Sequence, residues 1–426
     1  MEMSLVMSRP ILLAAVVCSL GTVALAQRAQ TWQEIRERFL ATNPTLAAGE
    51  IGVNESRAQE ITAYLRPNPD LTVSTDGTQL APYQGVYQPF TGTQVSTSFS
   101  YLHERQHKRE LRRDSAQKGT TVAESQQADL IRTMVFNLRN SFVQVLQAKA
   151  VLALAMESRE YYNRVLSVSN DRFKAGDIAR VDLLRLQVGQ AQYEADVQTA
   201  QVNLRTAKIQ LLQMLNDRTP VDQFDVDGPF TFTERPLVLE ELRQEAAANR
   251  PDLRAAEQAV DKANTDFHLA VSNGSTDPTL SAWWTHNPSF NNPFDNNTLG
   301  VSVSVPLRIF DRNQGEKART QLDITHARKL QEAALAQVFS DVNSALVTVN
   351  SNVELLKRYG TDYLEQATMV RDTISFSYQR GGASLLDFLN AESDYRTVRL
   401  GYLNLVGSFL TAANQLSLAV GREVIP

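Results

Sequence analysis

The stretch RFKAGDIARVDLL, residues 172–184, returns in the second half of the chain as SYQRGGASLLDFL, residues 377–389. Each copy breaks a long proline-free run at glycine (Gly176; Gly381 and Gly382) and then resumes with spaced apolar residues. Working outward, further pairs appear in the same order. ATNPTL (41–46) returns as ANRPDL (248–253), NPDLTVS (68–74) as DPTLSAW (277–283), and VSTSFSYL (95–102) as VSVSVPLR (301–308). Preserved order at nearly constant spacing marks two copies of one supersecondary unit.

Both copies share one anatomy. A helical segment (about 43–66, then 251–272) precedes two short strands. Leu71, Val73 and Thr75 alternate with Thr72, Ser74 and Asp76, and Val95, Thr97, Phe99 and Tyr101 with Ser96, Ser98 and Ser100. The second copy sets Leu280, Ala282 and Trp284, then Val301, Val303 and Val305 against Ser302 and Ser304. Period two with one apolar and one hydroxyl face is a half-buried strand. The strand linkers, 81–92 and 285–297, are rich in Pro, Gly and Asn, as exposed loops are. Beyond the strands, 104–170 holds no proline and a single glycine, Gly119. Apolar residues recur there three or four apart, and the second copy has the same run at about 314–376. A helix of ~65 residues is ~100 Å long, which no ordinary globular domain requires. Abundant Ala and Gln on these runs suit close lateral packing of helices.

The ends of the chain read differently. Of 426 residues, the first 26 combine a short n-region, an apolar run from Ile11 to Ala24 and the small-x-small sequence Ala24-Leu25-Ala26. This predicts a signal peptide cut before Gln27, and hence export. The sole cysteine, Cys18, lies inside that segment behind Val17, where lipoprotein signals carry a small residue, so lipidation is the weaker reading. Nothing after residue 27 reads as long and apolar enough for a transmembrane helix. The rest of the chain is then either soluble or enters a membrane as strands. Charge is nearly balanced, 42 basic against 47 acidic residues, and no basic run points to nucleic acid.

HERQH, residues 103–107, matches the H-E-x-x-H pattern of zinc proteases. The repeat argues against that reading. The segment falls where the second copy has Phe310-Asp311-Arg312-Asn313-Gln314: acid, arginine and amide recur, and the histidines do not. His268, His286 and His326 are scattered and announce no third ligand. There is no Gly-rich phosphate loop, no G-x-S-x-G elbow and no cysteine nucleophile, so no enzyme and no cofactor is expected. Trp283 and Trp284 read as interfacial belt residues of a membrane strand rather than a stacking site.

Four strands cannot close a membrane barrel, which needs at least eight, because open edges leave backbone groups unpaired in lipid. The strands therefore read as one sector of an oligomeric pore. Here the chain resembles the TolC family of outer-membrane channel proteins. The resemblance rests on the duplicated halves, the glycine turns at Gly176 and Gly381, and the aspartates six residues after each, Asp182 and Asp387. A narrower likeness, to the CzcC-type members of heavy-metal efflux systems, rests on VPLRIFDRNQGEKARTQ (305–321), with Pro306, Phe310, Asp311, Arg312, Asn313 and Gly315 at the barrel-to-helix junction.

The resemblance implies a mainly α fold with a small membrane β part: a homotrimer in which each chain gives four strands to a twelve-stranded β-barrel, continued by a long α-helical barrel through the periplasm. It divides the chain into a signal peptide (1–26) and a first repeat (27–215) with strands 69–77 and 93–102 and a hairpin tip near 172–180. An equatorial linker (216–237) follows, then a second repeat (238–421) with strands 278–286 and 298–307 and a tip near 378–384, and a tail (422–426). It implies a passive exit duct in outer-membrane lipid, working with a periplasmic adaptor and an inner-membrane RND-type transporter and carrying heavy-metal cations. The same duct for drugs or type I protein secretion is the near alternative. A periplasmic adaptor or structural coiled-coil protein is the rival of another class, although adaptors carry one hairpin rather than two. By resemblance the tips, with Arg172, Gly176, Gly381 and Ser384, meet the adaptor. Asp182 and Tyr378 match a gating link between helix pairs, and Asp387 an acidic ring at the narrowest point. This chain departs from the family at Ala383, where an arginine reinforces the link, and at Asn390, which replaces a second acidic ring.

Overall fold

The computed structural model describes residues 29–288 and 296–425. The leader expected at 1–26, and the middle of the second strand linker, lie outside the described residues. The duplication is visible element by element. The first copy is α1 (Trp32–Thr42), α2 (Pro44–Tyr64), β1 (Asp70–Asp76), β2 (Gln94–Leu102), α3 (Lys108–Lys174) and α4 (Arg180–Met214). The second is α5 (Leu239–Asn249), α6 (Pro251–Asn273), β3 (Thr279–His286), β4 (Asn297–Ser304), α7 (Gln314–Arg358), α8 (Leu364–Gln379) and α9 (Leu385–Val420).

The sequence pair ATNPTL and ANRPDL marks a helix break in each copy. Pro44 and Pro251 open α2 and α6 at positions where an amide hydrogen would have no helical acceptor. Asn43 caps α2 by accepting from Thr45 and Leu46 N–H. The preceding helix α1 was not expected; its signal was the capping box of Thr31 with Glu34.

The four strands form one antiparallel sheet in the order β1-β2-β3-β4, so β1 and β4 are both unpaired edges. Cross-strand rows keep the two faces distinct. Leu71–Phe99–Ala282–Val301 and Tyr101–Leu280–Val303 are rows of one face, and Ser74–Ser96–Thr285–Thr298 and Ser100–Ser281–Ser302 of the other. The apolar face is left open, with Leu71 70%, Val301 77% and Leu299 79% exposed. The register corrects the reading of the tryptophans. Neighbours on a strand face opposite ways, so only Trp284 joins the apolar face; Trp283 lies among Thr72, Ser98 and Gly300 on the hydroxyl face. A Cβ on Gly300 would stand 2.3 Å from the Trp283 ring, so glycine there lets the indole lie against the sheet. The ladder of β4 also stops at Ser304, short of 307, because its partner β3 begins at Thr279.

Helix α3 runs 67 residues, ~100 Å at 1.5 Å per residue. Its apolar positions change partners along that length. Leu138, Phe142, Val145 and Leu146 pack with α1, α4 and the 216–237 segment through Phe39, Leu211, Phe224 and Val226. Nearer its end, Tyr162, Val165 and Leu166 pack with Leu183, Leu186, Tyr193, Tyr378 and Phe388. A third core joins α5, α7 and α9 through Leu242, Val338, Val342, Val349, Phe409 and Leu416. The second long run is continuous in direction but not in hydrogen bonding: a π-turn, Tyr359–Tyr363, separates α7 from α8. It carries Gly360, whose added Cβ would meet nothing, and Tyr359 fills the space beside Gly401 on α9.

The expectation that no later segment has the composition of a membrane helix is corrected by α9, whose most apolar window has a mean hydropathy of 1.2 and is 50% buried. Its apolarity has a packing cause: it is the helix that faces α3, α7 and α8 together. The 216–237 segment is pinned by charge as well as by Phe224. Burial pushes the Asp225 carboxyl up, but Lys149 (2.9 Å) and Lys208 (3.0 Å) overrule it and hold its pKa below the usual range.

Candidate functional site

The two hairpin tips are built alike. Helix α3 ends in a Schellman closure, with Asp177 N–H donating to the Arg172 carbonyl (2.9 Å) and Gly176 N–H to the Phe173 carbonyl (3.0 Å). Helix α8 ends the same way, through Gly382 to Ser377 (2.8 Å) and Gly381 to Tyr378 (3.1 Å). The motif requires a left-handed residue, and Gly176 and Gly381 supply it with φ of 85° and 79°. Each following helix places an aspartate in its first turn. Ser384 caps α9 in a box with Asp387, donating to one carboxylate oxygen at 2.7 Å and accepting from the Asp387 N–H at 3.1 Å. The Ser384 hydroxyl, and after it the Ser384 N–H donating to the same carboxylate oxygen at 3.2 Å, hold the Asp387 carboxyl below its ordinary pKa, so it is a charged, exposed anion. In α4 the cap position is Ala179, which offers no side-chain oxygen, and the one ion pair of Asp182 among the described residues is with Arg185, at 3.9 Å.

Within the chain the tips are joined by Arg172 and Tyr378. The Arg172 guanidinium donates to the Tyr378 carbonyl at 2.7 Å and lies 5.6 Å from its ring centre. Tyr378 is buried, stacked on Phe388 at 5.1 Å, and its hydroxyl is 3.4 Å from Ser169 Oγ. No hydrogen bond joins Tyr378 to Asp182 among the described residues. Above this contact lies a set of residues that sequence reading did not single out: Tyr161, Tyr162, Tyr193, Arg371, Glu392 and Arg396, all drawn from α3, α4, α8 and α9. Their signal was present, as tyrosines and arginines on otherwise Ala- and Gln-rich helices, but no spacing rule assembles them across four helices.

At the other end, both strand-to-helix junctions turn through left-handed residues: Gln106 and His107 (φ 58° and 55°) before α3, and Asn313 (φ 62°) before α7. His103 lies ahead of the helix and His107 is its N-cap, so the two imidazoles are not one helical turn apart on a common face. That removes the geometry a zinc-protease helix needs. Glu104 instead pairs with Arg112, and the buried Lys108 with Asp277 at 2.6 Å. In the second junction Asn313 N–H donates to Asp311 at 2.8 Å and Asn313 Nδ2 to the Ala270 carbonyl at 2.7 Å, tying the turn to α6. Arg312 N–H donates to Gln314, Gly315 stands in open space, and Phe310 is 89% exposed; Pro306 lies in the two-residue step beyond the end of β4.

A four-stranded sheet with two open edges and one open apolar face, carried on helical hairpins ~100 Å long, fits a protein anchored in a membrane by strands that other strands must complete. The chain belongs to the outer membrane efflux protein family, which matches residues 35–217 and 242–422. Among its relatives it is similar to the cobalt-zinc-cadmium resistance protein CzcC of Cupriavidus metallidurans, 26% identical over 389 residues, 89% of this chain and 87% of that protein. It is also similar to the outer membrane protein TolC of Escherichia coli, 24% identical over 64% of this chain and 59% of TolC. Of solved structures, that of CusC, described in terms of transmembrane channel formation, superposes with a TM-score of 0.77 at 18% identity, covering 92% of each chain. The chain is thus an outer membrane efflux channel. Its family and structural neighbours are channel proteins, not enzymes.

Proposed function

We propose that three copies of the chain close into one duct, each giving four strands to a twelve-stranded barrel, and that the duct exports heavy-metal cations. The observation that carries the first half is the sheet with both edges unpaired and its apolar side chains exposed. Such edges are intolerable in lipid until other strands cover them. The second half is supported by near end-to-end likeness to CzcC and by the resemblance of the junction residues Pro306, Phe310, Asp311, Arg312, Asn313 and Gly315 to the CzcC-type motif. In this reading the duct is passive. A periplasmic adaptor meets the tips around Arg172, Gly176, Gly381 and Ser384, and an inner-membrane RND-type transporter supplies the driving force. Asp182 of one helix pair and Tyr378 of a neighbouring one form the resting link, and three copies of Asp387 ring the aperture and favour cations.

A deletion strain tests the cargo. Growth should become sensitive to cobalt, zinc and cadmium while tolerance of organic drugs is unchanged, and plasmid-borne protein should restore it. Drug sensitivity with unaltered metal tolerance would assign the duct to drug efflux instead.

A further inference from the structure

Two helical turns above the second tip, α3, α4, α8 and α9 meet around one side chain. Glu392 of α9 is 1% exposed, and its Oε2 has no hydrogen-bond partner among the described residues. A buried carboxylate normally has its lone pairs satisfied, and this one is surrounded by groups committed elsewhere. From α8, Arg371 pairs with Asp372 at 2.8 Å and lies over the Tyr395 ring of α9 at 3.8 Å. From α9 itself, Arg396 pairs with Asp196 of α4 and lies 4.5 Å from the Tyr193 ring centre. From α3, Tyr161 gives its hydroxyl to Ser375, Tyr162 gives its own to the Leu186 carbonyl at 3.0 Å, and Glu157 adds a like charge. Tyr162 is stacked on Tyr193 at 4.3 Å, which closes the aromatic side of the site. Neither arginine forms an ion pair with Glu392 among the described residues.

We propose that Glu392 is a proton-operated latch of the aperture end: with the carboxyl protonated, α8 and α9 pack firmly on α3 and α4, and with it ionised that packing loosens and the tips are free to move. The inference rests on reading the chain as a duct and adds a control to it. Its physical basis is that an ionised carboxylate inside a packed, low-dielectric site costs far more than a neutral one. Burial pushes Glu392 from its ordinary 4.5 up to about 7, against the pull of Arg371 and Arg396.

The sign follows from proton linkage. Below the ordinary carboxylate range, packed and loosened states are both protonated and no penalty exists. Between about 4.5 and about 7 the packed state holds a proton that the loosened state releases, so rising pH weakens packing. Above about 7 the penalty is constant. Each titrating chain should therefore raise the open-to-closed ratio by up to ~10-fold per pH unit within that window.

The test is planar-bilayer conductance of the full assembly with pH varied on the helical side, for wild type and Glu392→Gln. The wild type should conduct more as pH rises through the window. Glu392→Gln, which keeps shape without charge, should stay at the acid-side level throughout. A response that persists in Glu392→Gln, a wild type indifferent to pH, or conductance that falls as pH rises would each overturn the latch while leaving the duct. No conductance at any pH would remove the duct and the latch with it. Should Glu392→Gln fail to assemble, spin labels at the exposed Thr373 of α8 and Glu194 of α4, diluted with unlabelled protein, read the same motion in otherwise wild-type chains. Their distance distribution should broaden as pH rises, and an unchanged distribution would refute the proposal.

Discussion

At the scale of single residues, the tips show how one side chain serves fold and function together. Asp387 is fixed by its box with Ser384, which orients the carboxylate and keeps it charged at every physiological pH. An anion held so firmly, and repeated around an axis, suits an electrostatic filter better than a switch. Asp182 has no such box, since Ala179 replaces the serine, and its carboxylate is held in its own turn only by the long 3.9 Å pairing with Arg185 among the described residues. Conductance measurements separate these roles. Asp387→Asn should lower cation preference and relieve block by multivalent cations without changing the resting open fraction. Asp182→Ala combined with Tyr378→Phe should raise resting conductance, because a hydroxyl-to-carboxylate bond is worth roughly 1.5–3 kcal/mol per copy. Wild-type behaviour of both variants would leave these residues with structural duties alone: Asp387 as a cap partner, and Tyr378 as the ring between Phe388 and Arg172.

At the scale of elements, the strands make the sharpest claim. Val303 stands in the row Tyr101–Leu280–Val303 on the apolar face, and Ser302 in Ser100–Ser281–Ser302 on the other. Arginine at Val303 should cost ~2–4 kcal/mol if the side chain faces lipid near the midplane, whereas Ser302→Arg should be far better tolerated. Trimer yield in a membrane-assembly assay reads both, and equal tolerance would remove the lipid-facing assignment. Much of this was legible in sequence because period two and the duplication are local signals. Leu71, Val73, Val301 and Val303 announce their face, and Gly176 and Gly381 announce their turns by chemistry that needs no tertiary context. Trp283 was misread because its residue type outweighed its parity, although its neighbour Trp284 already held the apolar side. The π-turn at Tyr359–Tyr363 and the site around Glu392 were not legible, since both depend on which helices become neighbours. A Glu on a helix reads as solvated until the other three helices are placed around it.

At the scale of the whole molecule, the two copies divide the labour evenly: each gives a strand pair, a long hairpin and a tip. The result is a chain with unfinished edges at one end and paired tips at the other. The edges are the central matter, because a duct exists only if β4 of one copy completes its ladder on β1 of the next. Within one chain β1 and β4 are separated by β2 and β3, about 14 Å at the spacing of neighbouring strands, beyond the reach of a disulfide. Cysteines introduced together at Val73 and Val301, mid-strand on the same face, can therefore bond only between copies. Oxidised in outer-membrane fractions and run on a denaturing gel, the double variant should give covalent dimers and trimers and nothing larger, and each single variant should remain monomeric. A ladder extending past the trimer, or monomer alone with a scan of neighbouring positions equally silent, would contradict the closed three-chain barrel.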